Sequence, residues 1–284
     1  MLKILFIRDS YGERLGGIPT LILEYAKYFS EKGIKPYLLT NQSSSKLSRE
    51  FLNLGHKVFI FPSKGKFVSK WINYYYTRFN FLLKLVKDEE IDIMSTHKLK
   101  ENLLARKIKK SLPNIKNIFQ IHTHLEGRDN KILKRSILRL IEKKTDKYVD
   151  LYIPISYRIK NELINKSGAN PSKIVVIQNG VKALSDSFDK DQISPKLSNN
   201  IAIVGELQPR KNQVLGVELI NKYNKIHRNK IKLILIGGDT YNNYLKKINL
   251  LIKNYGIEKF VEIKDIRKVL FMDYNRISKV SFKD

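Results

Sequence analysis

The sequence predicts an α/β protein made of two doubly wound, Rossmann-like parallel-sheet domains, the second of them incomplete. Short apolar runs alternate with longer segments in which apolar residues recur at helical spacing, which is typical of parallel strands connected by helices. A polar stretch without apolar periodicity breaks this alternation once and divides the chain near residue 182. With 284 residues, 42% of them hydrophobic, the chain is long enough for two packed domains.

The first domain is predicted over residues 1–182. Its first strand is the apolar run from Leu2 to Ile7, and the helix that follows begins near Pro19, where a missing N–H costs nothing. Gly33 is expected to end that helix. Further strands are predicted at the apolar runs KPYLLT, KVFIF, IDIMS, NIFQI and LYIPI, with helical segments between them.

The second domain is predicted over residues 183–284 and is smaller. The alternation restarts as the strand IAIVG, a helix around 212–228, the strand IKLILIGG, a helix around 241–255 and the strand KFVEIK. One more apolar run, ISKVSF, ends the chain. The pattern therefore predicts four strands at most, with no helix after the last of them.

Composition narrows the classes of function without choosing among them. The chain carries 54 Lys and Arg against 27 Asp and Glu, a net charge of +27 that favours anionic partners such as nucleic acid, anionic lipid or phosphorylated substrates. A coding bias toward Lys, Ile and Asn explains the same excess equally well. No helix-turn-helix, zinc or RNA-binding signature accompanies the charge, so no nucleic-acid partner is expected.

Other residue types exclude further chemistry. The chain has no cysteine, which excludes disulfides and thiolate catalysis and fits a cytoplasmic location. Its 5 histidines are scattered without metal-ligand spacing, so no metal site is predicted. No apolar run reaches the roughly 18 residues of a membrane span, and the first residues lack the features of a signal peptide.

The segment 66–87 combines a helical apolar face with aromatic and cationic residues that lie off that face. Such a mixture suits a membrane interface or a bound partner. A large helix buried on two sides accounts for the pattern equally well.

Two loops at the carboxyl ends of predicted strands could hold an anion, because ligands of parallel sheets bind there. Gly16 and Gly17 precede the first helix, so backbone amides could approach an anion or a sugar closely; a simple turn is the alternative. Gly205 ends a strand of the second domain, and Arg210 and Lys211 follow at the next helix start. These cations would stabilise a diphosphate, and a solvated basic turn is the alternative.

Three histidines follow two successive predicted strands. His122 and His124 lie two residues apart, so in an extended chain both face the same side. Either could donate a hydrogen bond to a sugar hydroxyl or a phosphate, and a structural role fits the pair about as well. If His122 and His124 point into the cleft between the two predicted domains, His97, which follows the preceding strand, could reach the same cleft.

Taken together, these segments resemble glycosyltransferase family 4, the retaining transferases of GT-B architecture. The resemblance rests on an ordered set of motifs that covers nearly the whole chain: LGGIPTLILEYAKYFSEKG, STHKLKENLLARKIKK, IHTHLEG, PISYRIKNELI, VVIQNGV, VGELQPRKNQ and LILIGGD. The set is most similar to the branch that builds bacterial surface glycans. The resemblance implies transfer of a sugar from a nucleotide-diphospho-sugar to a growing capsule, lipopolysaccharide or exopolysaccharide chain, with retention of configuration.

The resemblance also implies a role for each domain. The N-terminal domain would hold a lipid-linked or lipopolysaccharide glycan acceptor, with its basic face on anionic lipid at the inner face of the cytoplasmic membrane. The C-terminal domain would hold the nucleotide sugar, which is a substrate. No metal and no cofactor are implied.

Site residues follow from the matched motifs. Lys211 matches the family lysine that grips the donor diphosphate, and Gly17 matches a glycine near the donor phosphates. His122 matches the histidine near the transferred sugar and is the catalytic candidate, with His124 as the fallback. The remaining expected site residues are Gly205, Arg210 and Gly237 for the donor, and Gly16, His97 and His124 for the acceptor or the cleft.

Two departures from the family pattern qualify this expectation. Glu206 occupies a position where the family often has Arg, and Arg210 is expected to supply the second cation instead. The family also has a later pair of glutamates, whereas Glu258 and Glu262 lie too early and too close together. The chain is therefore expected to be a C-terminally truncated transferase; the alternative is a non-catalytic remnant that binds an acceptor glycan or a partner protein. Nucleotide-sugar epimerases share the architecture, but no acid/base set for them is found.

Overall fold

The computed structural model describes residues 1–9, 16–62, 72–123, 132–180, 199–239 and 243–265. The chain divides into two compact units, Met1–Val181 and Lys182–Asp284. Within the described residues, each unit is built on its own parallel sheet. The predicted α/β class, with two parallel-sheet Rossmann-like units, is therefore confirmed.

The first unit alternates strands and helices along its whole described length. Its strands are β1 (Lys3–Ile7), β2 (Lys35–Thr40), β3 (Val58–Ile60), β4 (Ile93–Thr96), β5 (Lys116–Ile121) and β6 (Leu151–Pro154). Its helices are α1 (Gly17–Glu31), α2 (Lys46–Asn53), α3 (Ile72–Asp88), α4 (Leu99–Ser111), α5 (Ile132–Lys144) and α6 (Tyr157–Glu162). The strands form one parallel sheet in the order β3-β2-β1-β4-β5-β6.

The central strand β1 shows why an unbroken apolar run folds as a strand here. Its Leu5 and Ile7 belong to a core cluster on one face of the sheet, together with residues of α3 and α4. Its Ile4 and Phe6 belong to a second cluster with residues of α1 and α2. Because successive side chains point to opposite faces and both faces are covered, every position must be apolar.

The order of the strands reverses between β1 and β4. The chain first builds outward from β1 to β2 and β3, and later returns to build β4, β5 and β6 on the other side of β1. At such a switch point the loops leave the carboxyl ends of the strands in opposite directions and open a crevice, where doubly wound sheets bind their ligands. The residues that follow β1, β4 and β5 are therefore the place to look for a site.

The second unit contains three parallel strands in its described part. They are β7 (Asn200–Val204), β8 (Lys232–Ile236) and β9 (Val261–Lys264), in the order β7-β8-β9. Two helices, α7 (Gln213–Ile226) and α8 (Tyr244–Tyr255), connect them. Buried residues of both helices, such as Val217 and Ile248, form one core cluster with Leu233 and Leu235 of β8.

Some predicted boundaries shift in the structure. The run IDIMS was expected to be a strand, but β4 begins at Ile93 and extends to Thr96, which is buried although it is polar. The Thr96 hydroxyl donates to the Ile118 carbonyl at 3.1 Å and accepts from Asn102 Nδ2 at 3.0 Å, so its burial leaves no polar group unpaired. The run ISKVSF lies outside the described residues. In the described part of the chain, no helix is both long and apolar enough to cross a membrane.

Candidate functional site

The carboxyl ends of β1, β4 and β5 bring a group of polar side chains to one edge of the first sheet. Arg8 and Asp9 follow β1, His97 follows β4, and His122 follows β5. Because β1 pairs with β4, and β4 pairs with β5, these residues meet at the switch point. His97 and His122 were predicted to share one cleft, and the structure brings them into direct contact.

His97 and His122 form a hydrogen-bonded pair. His97 Nδ1 lies 3.1 Å from His122 Nε2, and the two rings are stacked with centroids 5.4 Å apart. His97 is 3% exposed and also contacts the ring of Phe6, whereas His122 is only partly buried. His97 is therefore a buried support, and His122 is the member of the pair that a ligand can reach.

Both imidazoles are neutral near pH 7. Burial lowers the pKa of His97 well below its ordinary value, and the neighbouring His122 and Arg8 lower it further. Burial and then Arg8 lower the pKa of His122 to about 4. The pair can therefore give and accept hydrogen bonds but does not carry charge at this pH.

The burial of His97 also indicates which ring nitrogen carries the proton in His97 and in His122. His97 Nε2 is buried and has no hydrogen-bond partner among the described residues. An unpaired buried N–H is rarer than an unpaired acceptor, so we place the proton of His97 on Nδ1, from which it donates to His122 Nε2. A neutral His122 whose Nε2 accepts must then carry its own proton on Nδ1. His122 therefore offers an N–H donor, suited to a hydroxyl or phosphate oxygen.

Glu101, in the first turn of α4, fixes the two loops that surround this pair. One carboxylate oxygen accepts from the Asp9 backbone N–H at 3.0 Å, and the other accepts from the Lys98 backbone N–H at 3.0 Å. The carboxyl is 5% exposed, and burial raises its pKa to about 7, although Arg8 opposes the rise. Glu101 therefore joins the end of β1 to the start of α4.

Four charged residues at this edge were not predicted from the sequence: Arg8, Asp9, Arg78 and Glu101. Arg78, on α3, binds both oxygens of Asp9 at 3.2 and 3.3 Å, and both side chains are mostly buried. Arg78 with Asp9 and Arg8 with Glu101 are pairs of residues that are distant in sequence, so no local sequence motif predicts them. The usable signal was modest: each of Arg8, Asp9 and Glu101 is a charged residue next to the end of a buried strand or the start of a helix.

Gly16 and Gly17 lie at the start of α1, the helix that follows β1. Gly16 is the N-cap in an extended conformation, and no side chain caps this end of the helix. Both glycines are exposed, and a Cβ at Gly17 would meet no atom of the described residues within 4 Å. The described residues therefore leave space beside Gly17; its contact with a ligand stays a prediction. Residues 10–15, between β1 and these glycines, lie outside the described residues.

Three of the expected donor-binding residues meet at the carboxyl ends of β7 and β8. Gly205 has φ +151, and a Cβ there would lie 3.6 Å from Lys211 Cε, so the lysine stem covers this glycine. A Cβ at Gly237 would lie only 1.9 Å from the Gly205 carbonyl oxygen. The two backbones thus approach as closely as glycine allows, and Lys211 stands beside them.

Arg210 and Glu206 stand beside the same group of residues. Arg210 Nε donates to Gln208 Oε1 at 3.0 Å, and Gln208 Nε2 donates to Glu206 Oε2 at 3.0 Å. Glu206 is therefore engaged by Gln208 rather than by Lys211, for which no ion pair is found within the described residues. The turn ends at Asn212 in a left-handed conformation, directly before α7.

Not every expected residue can be placed. His124 lies outside the described residues. In the described part of the chain, no group of three or more His, Cys, Asp or Glu side chains is arranged to hold a metal ion.

Comparison with known proteins assigns the family. Residues 15–183, more than half of the chain, match the sequence model of the family described as Glycosyltransferase Family 4. The chain belongs to Glycosyltransferase Family 4. The resemblance seen in the ordered motifs is thereby confirmed.

Individual relatives of this Family 4 chain are distant. One curated relative is a subunit of the phosphatidylinositol N-acetylglucosaminyltransferase of Arabidopsis thaliana. It is 21% identical over 246 residues, which span 84% of this chain and 52% of that protein. The chain thus spans about half the length of this curated relative.

Solved structures show the fold. The Anabaena protein HepE, in complex with UDP and glucose, superposes with a TM-score of 0.71 at 16% identity, over 94% of this chain and 70% of that chain. The lipopolysaccharide outer core galactosyltransferase WaaB, in its apo form, superposes with a TM-score of 0.68 at 17% identity, over 98% of this chain and 72% of that chain. The predicted GT-B fold class is confirmed by these likenesses.

Proposed function

We propose that this Family 4 chain transfers a sugar from a nucleotide-diphospho-sugar to a growing bacterial surface glycan, such as a capsule, lipopolysaccharide or exopolysaccharide chain, and retains the anomeric configuration. Family membership supports glycosyl transfer. The complex of HepE with UDP and glucose supports a nucleotide-sugar donor, and the likeness to WaaB, a galactosyltransferase of the lipopolysaccharide outer core, supports a surface glycan.

The observation that carries the proposal is the group formed by Gly205, Lys211 and Gly237. The two glycines let the backbone segments at the carboxyl ends of β7 and β8 approach closely, and Lys211 adds an exposed cation beside them. A glycine backbone and a lysine at the entrance to a helix are elements with which proteins bind diphosphates. We assign the donor diphosphate to this group and Arg210 to its outer edge.

The chemistry proposed for this arrangement is mainly electrostatic. Lys211 would stabilise the negative charge that develops on the departing diphosphate, which is a large contribution when the charge is held by positioned groups. We assign His122 to the transferred sugar, where its Nδ1–H would donate to a hydroxyl and hold the reacting carbon in place. His122 is neutral at pH 7, so in this account it orients the sugar and does not act as a charged acid.

Calorimetric titration with UDP and GDP tests the proposal. The wild-type chain is expected to bind one of the two nucleotides, and Lys211→Ala is expected to weaken that binding about tenfold or more. Lys246→Ala, which removes an exposed lysine of α8, is the matched control and should bind as the wild type does. A folded wild-type chain that binds neither nucleotide would contradict the proposal and favour a non-catalytic chain that binds a glycan or a partner.

We also propose that the first unit contacts anionic lipid at the cytoplasmic face of the membrane. In addition to the net charge of +27, helix α5 supports this, because Ile137, Leu140 and Ile141 are 50%, 60% and 39% exposed beside the cations Lys143 and Lys144. An exposed apolar surface flanked by lysines suits an anionic membrane surface. Sedimentation with anionic vesicles should recover the wild-type chain but not Ile137→Ser/Leu140→Ser, and neutral vesicles should recover neither; equal recovery of both chains would contradict this placement.

A further inference from the structure

Most of the Arg8 guanidinium is buried and donates no hydrogen bond to the described residues. Its side chain is 11% exposed, and its Nε and Nη1 are buried without a hydrogen-bond partner among the described residues. The nearest carboxylate in an ion pair with it is Glu101, whose Oε1 lies 3.7 Å from Arg8 Nη1, beyond hydrogen-bond distance. A buried charge without hydrogen bonds costs free energy, so we expect Arg8 to have a role other than stabilising the fold.

A second buried arginine in the same unit shows what a purely structural role looks like. Arg106 is 2% exposed, and all three of its nitrogens are used. It donates to Asn102 Oδ1 at 2.6 Å, to the Glu142 carbonyl at 2.9 Å, to Thr145 at 2.8 Å and to Tyr152 at 3.2 Å. The fold can therefore satisfy a buried guanidinium, but it has not done so at Arg8.

The carboxylates near Arg8 form their hydrogen bonds with other groups. Asp9 is bound by Arg78 through both of its oxygens, and Glu101 accepts hydrogen bonds from backbone N–H groups. Lys98 adds another cation, whose pKa is lowered by burial and then by Arg8. The neutral imidazoles of His97 and His122 add no negative charge. Within the described residues, Arg8 Nε and Nη1 therefore lack an acceptor, which a carboxylate or a phosphate would supply.

The position of Arg8 is that of a ligand-binding residue. It follows β1 directly, and the strand order reverses between β1 and β4, where doubly wound sheets bind ligands. Guanidinium groups bind carboxylates and phosphates through two parallel hydrogen bonds, and His122 offers a further N–H donor at the same edge.

We propose that Arg8 is the charged part of a subsite, at the carboxyl ends of β1, β4 and β5, for a carboxylate or phosphate oxyanion carried by the sugar ligand. The inference rests on the proposed function, since the transfer reaction supplies the sugar. Two sources fit the same chemistry. The oxyanion is either the carboxylate of an acidic sugar or the phosphate of a phosphorylated sugar.

Calorimetric titrations of the full chain with glucuronate, inorganic phosphate and UDP, at constant ionic strength, test the subsite. Arg8→Gln removes the charge and is expected to weaken the binding of glucuronate, of inorganic phosphate or of both about tenfold or more, whereas the binding of UDP reports on the proposed function. Arg8→Lys keeps the charge but not the forked geometry, and should give an intermediate loss. Lys35→Gln, at the opposite end of the sheet, is the control and should bind as the wild type does. Thermal melts without ligand establish that each variant is folded.

The pattern of losses distinguishes the sources. A loss confined to UDP would contradict the subsite. If Arg8→Gln weakens the binding of glucuronate more, the oxyanion is a carboxylate; if it weakens the binding of phosphate more, the oxyanion is a phosphate. Either result supports the subsite. The two proposals can fail separately. If the chain binds neither UDP nor GDP but Arg8 still holds glucuronate, the proposed function fails and the subsite is supported. If Arg8→Gln and Arg8→Lys bind every probe as Lys35→Gln does, or the wild type binds no probe at all, the subsite is overturned.

Discussion

The polar residues at the carboxyl ends of the strands are buried in the first unit (the first edge) and exposed in the second unit (the second edge). In the first unit, His97 is 3% and Glu101 is 5% exposed, and burial shifts the pKa of each away from its ordinary value. In the second unit, Glu206, Arg210 and Lys211 are all exposed, and two glycines supply the close approach. Interactions between charges are strong where water is excluded and are screened where it is not. The first edge is therefore fixed before a ligand arrives, whereas the second is closely packed glycine backbone beside long, exposed cationic side chains.

The largest expected effect of a single substitution is at Gly237, where the second edge depends on backbone alone. Gly237→Ala would place a Cβ 1.9 Å from the Gly205 carbonyl oxygen, so β7 and β8 would have to move apart. We expect a loss of about 3 kcal/mol in the free energy of unfolding, as for severe overpacking. Urea unfolding checks the value. Gly180→Ala, where the added Cβ meets no atom of the described part of the chain within 4 Å, is the control, and equal stability of the two variants would show that the close approach is unimportant.

The next effect concerns the burial of His122 at the first edge. Its pKa is lowered from 6.5 to about 4, so its contribution to stability is complete above pH 6.5 and is lost as the pH falls toward about 4. His122→Asn should reduce this fall in the free energy of unfolding by about 2 kcal/mol. Urea unfolding between these two pH values measures it. Thr123→Asn, in the neighbouring exposed position, should keep the fall of the wild type; a fall that His122→Asn leaves unchanged would mean that the imidazole is not buried as described.

The smallest effect is on a proton position rather than on stability. His97 Nδ1 and His122 Nε2 lie 3.1 Å apart, and we assigned His97 as the donor. Nitrogen NMR of the wild type should then show His122 protonated on Nδ1 and unprotonated on Nε2. His97→Phe keeps a ring in place but removes the donor, so a mixture of tautomers should appear. His97→Asn, whose amide can donate, should restore the single tautomer. A single Nδ1–H form in all three proteins would show that His97 does not set it.

Much of the fold could be predicted because buried parallel strands leave a simple signal. Ile4, Leu5, Phe6 and Ile7 must all be apolar when helices cover both faces, so β1 appears in the sequence as an unbroken run. The signal weakens where polar residues are buried with partners. Thr96 belongs to β4 because its hydroxyl is satisfied by Ile118 and Asn102, and no local pattern shows that pairing.

The site residues also divide into those that local sequence motifs predict and those that they do not. Gly205, Lys211 and Gly237 lie in motifs whose spacing is local, and the structure brings them together; their role in donor binding stays a prediction. The pairs that shape the first edge join residues far apart in the sequence, such as Asp9 with Arg78 and Arg8 with Glu101. A charged residue after a strand is usually a solvated one, so only the three-dimensional arrangement shows that the charge of Arg8 is buried.

The most direct test of the central claim, that the second edge holds a nucleotide diphosphate, is amide hydrogen exchange of the full chain with and without UDP or GDP. We expect the nucleotide to slow exchange in the segment from Gly205 to Gln213, where Lys211 and the entrance to α7 lie, and Lys211→Ala to abolish the slowing. Amides in the middle of α8 should be unaffected. Slowing confined to other segments, or none at this segment although the nucleotide binds, would show that the diphosphate is not held at the second edge.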